Sequence, residues 1–234
     1  MSTTILHYIY DPLCGWCYGA APLVAAARQV VTVRAHGGGM MAGPNRKAVT
    51  PQLRAFVAEH DQRIARSTAQ AFGDGYLNGL LRDTSAVLDS EPPIAAILAA
   101  DDLDSRGLDM LARLQVAHYV EGRRIADRLV LVELATELRL PREPFEQALY
   151  RAEGAATQRH IAESRALLAQ LGGHGFPTFA LERDGRFDLV AMGQYVARPQ
   201  QWQDWLKAQV PVTDSSEAGM EFGCSPDGCV IPVK

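Results

Sequence analysis

The sequence predicts an α/β protein: one small mixed sheet with flanking helices, split by a large all-helical insertion and followed by a flexible C-terminal tail. Three observations predict it. A strand–helix–strand pattern opens the chain, a long block with helical apolar spacing follows, and a helix–strand–strand–helix pattern closes the folded part. The outer pieces fall at 1–40 and 155–210, the insertion at 41–154 and the tail at 211–234.

Ile5 to Tyr10 is β-branched and aromatic and reads as a buried strand, which Asp11-Pro12 breaks. From Cys14 to Gln29 the chain turns to Ala, Leu and Val and reads as one helix, with Pro22 inside it as a kink. Val30 to Ala35 alternates as a second strand, ended by Gly37-Gly38-Gly39. Helical spacing then recurs over Pro51–Ala71, Pro92–Ala100, Leu108–Val120, Ile125–Leu138, Pro144–Arg151 and Ala155–Leu171, where Gly172-Gly173 stops it. Pro177 to Leu181 is a strand, Arg183-Asp184-Gly185-Arg186 a hairpin turn and Phe187 to Ala191 the returning strand. Pro199 to Gln209 closes as a helix carrying Trp202, Trp205 and Leu206, and no internal repeat is present.

The 234 residues are 47% hydrophobic and 21% charged with a net charge of -4, ordinary for a soluble globular chain. No basic stripe points to nucleic acid or an anionic membrane, and the apolar runs are far short of the roughly 20 residues of a membrane span. Met1-Ser2-Thr3-Thr4 leads straight into a strand without the features of a signal peptide, so a cytoplasmic protein is expected. Four cysteines in that compartment are not a structural disulfide framework. They fall into two close pairs, Cys14/Cys17 and Cys224/Cys229, which suggests redox chemistry or metal binding.

A Cys-x-x-Cys that opens a helix has a direct use. Free N–H groups and the helix dipole favour an anion at the first cysteine, which lowers the thiol pKa and supplies the thiolate that attacks disulfides. The second cysteine, three residues on, lies on the same face within disulfide reach. Cys14 is thus the exposed nucleophile and Cys17 the buried resolving thiol. Gly15 and Trp16 carry no charge, so the helix start must supply most of the stabilisation.

Tyr10-Asp11-Pro12-Leu13-Cys14-Gly15-Trp16-Cys17-Tyr18-Gly19 resembles the active-site region of the DsbA-like branch of the thioredoxin superfamily, and Gly175-Phe176-Pro177-Thr178-Phe179 resembles that branch's cis-proline loop. The resemblance covers about residues 1–210 and is nearest the cytosolic FrnE-like, predicted protein-disulfide isomerase group. It implies a thioredoxin fold with a helical insertion and a thiol–disulfide oxidoreductase acting on protein or peptide substrates. It needs no cofactor beyond the Cys14–Cys17 pair, with glutathione or a thioredoxin-type reductant as electron partner. It implies that Pro177 is cis and faces the two sulfurs, leaves Phe176 free to pair with a substrate strand and keeps metal from the thiols. Gly15, Trp16, Phe176, Pro177 and Thr178 become substrate-positioning residues. Two departures leave the direction of electron flow open. Related enzymes often carry a buried acid on the first strand beneath the disulfide, whereas this strand offers His7, Tyr8 and Tyr10; and the Gly-Trp dipeptide differs from the Pro-His and Gly-Pro versions.

Cys224-Ser225-Pro226-Asp227-Gly228-Cys229 sets the second pair around a turn. The linker before it, about thirteen residues, reaches roughly 20 Å. An auxiliary redox relay with Cys14–Cys17, a passive disulfide loop, a zinc site and a disordered tail all stay open.

Gly37 to Pro44, with Met40 and Met41, is expected at the rim of the site, as an apolar groove for substrates or a plain connection into the insertion. Its glycines lack the spacing of a phosphate loop. His36 and His118 read as packing or surface residues, and His174, three before Pro177, as a residue placed to tune the thiolate. No metal signature exists beyond the cysteines, and no serine nucleophile elbow. Two rivals remain: a glutathione-dependent transferase or isomerase of the same architecture, whose members carry Ser at the position of Cys14, and a zinc-binding or redox-sensing module.

Overall fold

A computed structural model describes residues 4–210. The tail pair Cys224 and Cys229 lies outside the described residues. The central strand β1 (Thr4–Tyr10) pairs in parallel with β2 (Thr32–Gly37) and antiparallel with β5 (Thr178–Arg183), and β6 (Arg186–Val190) completes the order β2-β1-β5-β6. A strand flanked on both sides and covered on both faces reads as a continuous apolar run; Leu6, Tyr8, Ile9 and Tyr10 are each at most 1% exposed.

The expected helix over Cys14–Gln29 is two helices, α1 (Gly15–Gly19) and α2 (Ala21–Ala27), broken at Ala20. Proline does not kink an interior here. It sits in the first turn of α2, where a missing N–H costs nothing because that donor has no helical partner anyway. Strand β2 begins two residues later than expected, because Val30 and Val31 close the turn after α2 on the Ala27 carbonyl. The closing helix α9 (Pro199–Gln209) packs on α2; Trp202, fully buried, donates its Nε1–H to the Leu23 carbonyl at 3.0 Å and stands edge-on to Phe179.

Between the two halves run α3 (Pro51–Thr68), α4 (Glu91–Asp104), α5 (Gly107–Tyr119), α6 (Arg128–Glu137) and α7 (Arg142–Ala152), and then α8 (Ala155–Gln170) returns to β2. The block is not wholly helical: Lys47–Ala48 and Val87–Leu88 form a small antiparallel ribbon, β3 and β4. Strands of two residues are too short to show a period of two in a sequence. Helix α4 packs on α5 and α7 in a core that includes Met110, Leu114 and Phe145, all fully buried, while its Ile94 packs with Ala42 and Ile161 against Gly37.

Candidate active site

The site forms where β1 ends and α1 begins. Cys14 is the N-cap of α1, in extended backbone, and its Sγ accepts the Cys17 N–H at 3.3 Å. Both cysteines are free thiols. The order of exposure is as expected but the difference is small: Cys14 is 6% exposed and Cys17 is 0%. Cys14 is not an open nucleophile, because its thiol donates to the Phe176 carbonyl, 3.5 Å away. The Phe176–Pro177 bond is cis. Thr178 starts β5 opposite Ile9 and anchors the loop by donating its hydroxyl to the Gly175 carbonyl at 2.7 Å.

Phe176 is seated by Gly38. A Cβ on Gly38 would stand 2.2 Å from the Phe176 ring, so a side chain there would displace the ring. Arg165 on α8 donates to the Gly38 and Gly39 carbonyls at 2.7 and 2.5 Å and pins this loop. The segment Gly37–Met41 therefore packs against the cis-proline loop, with its three glycines buried and Met40 and Met41 half-buried. On one side of the motif a groove of about 600 Å³ is lined by Trp16, Ser67, Met192, Gln194 and Arg198. On the other side of Pro177 a second groove, about 370 Å³, takes in His174, Thr178 and Leu189. His174 faces that groove as an exposed residue, with no hydrogen bond to either cysteine among the described residues.

The acid missing from β1 stands one residue beyond it. Asp11 is 0% exposed, and its own N–H points at Cys17 Sγ, 3.5 Å away. The carboxylate accepts three hydrogen bonds, from Leu13 N–H at 2.8 Å, Met40 N–H at 2.5 Å and the Ser90 hydroxyl at 3.0 Å. Burial raises its pKa, and those donors pull it only part of the way back. Cys17 is pushed well above the usual thiol range, first by burial, then by Cys14 beside it and by the charge of Asp11. Tyr8 completes the floor, stacked between Tyr10 and Phe179, with its hydroxyl 3.3 Å from the Cys17 carbonyl.

The insertion holds the motif from above. Ile64 of α3 fills the space over Gly15 and Gly19, where added Cβ atoms would stand 2.8 and 3.2 Å from its side chain. Tyr18 donates to the Ala71 carbonyl at 2.8 Å and stacks on Tyr119 of α5. His36 and His118 are packing residues: His36 stacks on His7, which bonds Glu182 at 2.7 Å, and His118 is buried in the insertion. Among the described residues no group of three or more His, Cys, Asp or Glu side chains has the arrangement of a metal site. No described helix is long and apolar enough to cross a membrane.

A Cys-x-x-Cys at a strand-to-helix junction, with a cis-proline loop facing the first sulfur and a buried acid beside the second, defines a thiol–disulfide oxidoreductase of the thioredoxin fold. Solved structures agree. The cytosolic disulfide reductase DsbM from Pseudomonas aeruginosa is 56% identical, with 88% of this chain and 98% of that chain covered and a TM-score of 0.83. DsbM with GSH gives 53% identity over the same shares and a TM-score of 0.82. A candidate protein disulfide isomerase from Nitrosomonas europaea shares the fold at 24% identity, with 88% and 98% covered and a TM-score of 0.72. No protein-family model matches the chain, and no curated protein sequence matches it. The chain belongs, with DsbM, to the DsbA-like branch of the thioredoxin superfamily. It is an enzyme of thiol–disulfide exchange.

Proposed function

We propose that Cys14 attacks, Cys17 resolves, and the pair runs as a cytoplasmic disulfide reductase drawing electrons from glutathione. The observation that carries the roles is the position of Cys14, 6% exposed with its Sγ 3.5 Å from the Phe176 carbonyl, while Cys17 is wholly enclosed. The Cys14 thiolate attacks one sulfur of a substrate disulfide; a Cys14–substrate disulfide forms and the other substrate sulfur leaves as a thiolate. Cys17 gives its proton to the Asp11 carboxylate and attacks the Cys14 sulfur, so the Cys14–Cys17 disulfide forms and the second substrate thiolate leaves. Two glutathione thiols then reduce the pair and depart as glutathione disulfide. The raised pKa of Asp11 suits it to this proton. The cytosolic address, the reductive direction and the donor are supported by DsbM, which is described as a cytosolic disulfide reductase and has been solved with GSH. No bound cofactor enters the cycle.

The test is trapping. With Cys17→Ser the first mixed disulfide has no resolving thiol, and proteins are expected on Cys14 when the variant is recovered from the parent cells. Recovery of glutathione alone would overturn the protein-substrate part of this reading.

A further inference from the structure

A second buried carboxylate faces the redox motif, and it comes from the insertion. Asp61 on α3 is 6% exposed. One of its oxygens accepts the Tyr76 hydroxyl at 2.9 Å. The other lies 3.2 Å from where a Cβ on Gly15 would stand, against the dipeptide that joins the two cysteines. No lysine or arginine pairs with it among the described residues. The groups around it are Gly15 from the motif, next in the chain to Cys14, Tyr76, Tyr119 of α5 and His60 on its own helix. Burial lifts its carboxyl to about 6, against the Tyr76 hydrogen bond and the His60 charge that hold it down. Asp61 is therefore ionised at about pH 8 and neutral at about pH 5.

We propose that Asp61 is a redox-tuning residue: its carboxylate, held over Gly15 by Tyr76, opposes negative charge on the Cys14 sulfur and drives the pair toward the reducing end of its range. The physics is one of unequal charge. In the reduced enzyme the Cys14 sulfur spends part of its time as a thiolate, and a neighbouring anion raises the energy of that state. The disulfide carries no charge and feels little. In the exchange, the enzyme dithiol and glutathione disulfide become the enzyme disulfide and two glutathione thiols; one S–S bond forms, one breaks, and Asp61 is unchanged. Destabilising the reduced enzyme moves this equilibrium toward the enzyme disulfide, which is what makes a dithiol a strong reductant. The inference rests on the reading of Cys14 and Cys17 as the redox pair.

The experiment compares the full-length protein with Asp61→Asn, whose amide oxygen still accepts from Tyr76. Ultraviolet thiolate absorbance gives the titration of Cys14, and equilibration with glutathione and its disulfide gives the redox constant. In Asp61→Asn, Cys14 is expected to titrate about one unit lower. The constant for oxidation is then expected to fall by up to about tenfold at about pH 8, and to match the parent at about pH 5. Tyr76→Phe should move both readouts the same way by less, because Asp61 loses a donor that favours its charge. An Asp61→Asn protein that titrates and equilibrates like the parent at about pH 8, or titrates higher, overturns the proposal. If the parent itself does not equilibrate with glutathione, the redox-pair reading falls first; if it does and the variant is indistinguishable, only the tuning role falls.

Discussion

The sheet side and the insertion side of the motif do different work. The sheet side supplies the groups proposed to react and to take up the proton, Cys14, Cys17 and Asp11 at the end of β1, and the Phe176 carbonyl before β5. The insertion side supplies mostly packing, with Ile64 over two glycines and Tyr18 stacked on Tyr119, and its polar groups meet the sulfurs only indirectly. The difference teaches that one half of the chain defines the reaction while the other defines the setting in which it runs. Substitutions on the two sides should therefore fail in different ways.

The largest effect is expected from Cys14→Ser, which removes the attacking sulfur and should cut disulfide reduction by at least about 10³-fold. A fluorescent disulfide-reduction assay checks it, with thermal unfolding unchanged. Next, Ile64→Ala opens a cavity beneath α3, because Ile64 is 2% exposed. Urea unfolding should show a loss of about 3 kcal/mol. Its Cys14 titration should stay put, and a shifted titration would break the division between packing and chemistry. Asp11→Asn keeps an acceptor for the Leu13 N–H and the Ser90 hydroxyl, sets an amide NH2 against the Met40 N–H, and cannot take up the Cys17 proton. Single-turnover kinetics should show the resolving step slowed about 10²-fold, with Cys14 alkylation little changed.

The effect that is smallest near neutral pH, and grows only in acid, concerns His118. His118 is 3% exposed with Nδ1 unpartnered, and burial holds its pKa down at about 3. The unfolded chain protonates it near about 6.5, so between these values the unfolded state binds the extra proton and stability falls as pH drops. His118→Leu should flatten this acid limb by about 1.4 kcal/mol per pH unit, read from urea midpoints across the window. An unchanged limb would place the acid sensitivity on the sheet side instead.

The same division explains what could be read in advance. Cys14-Gly15-Trp16-Cys17 and Phe176-Pro177 carry their chemistry in local spacing, and the element order follows from hydrophobic periods; both were legible. Asp11 was visible only as a strand breaker beside Pro12. Its role depends on Met40 and Ser90, which the fold brings to it from other segments. The signal that could have found it is an acid at the end of a wholly apolar strand, directly before the cysteines. Asp61 and Tyr76 gave no such signal, since an acid on an amphipathic helix reads as a solvated face. Pro22 reads as an interior kink because a proline in the first turn of a helix and one in its interior look alike until the break at Ala20 is known.

The seat of Phe176 on Gly38 carries a consequence for how this enzyme can vary. The ring occupies the volume that any side chain at position 38 would need. Positions 38 and 176, one after β2 and one before β5, thus share a single allotment of space. Enlarging one is tolerated only as the other shrinks, so in a double-mutant cycle of Gly38→Ala with Phe176→Leu the two changes should compensate rather than add. A bulkier loop after β2 and a full-sized aromatic before Pro177 exclude each other, and that exclusion limits how far the substrate rim can be remodelled without loosening the carbonyl that faces Cys14.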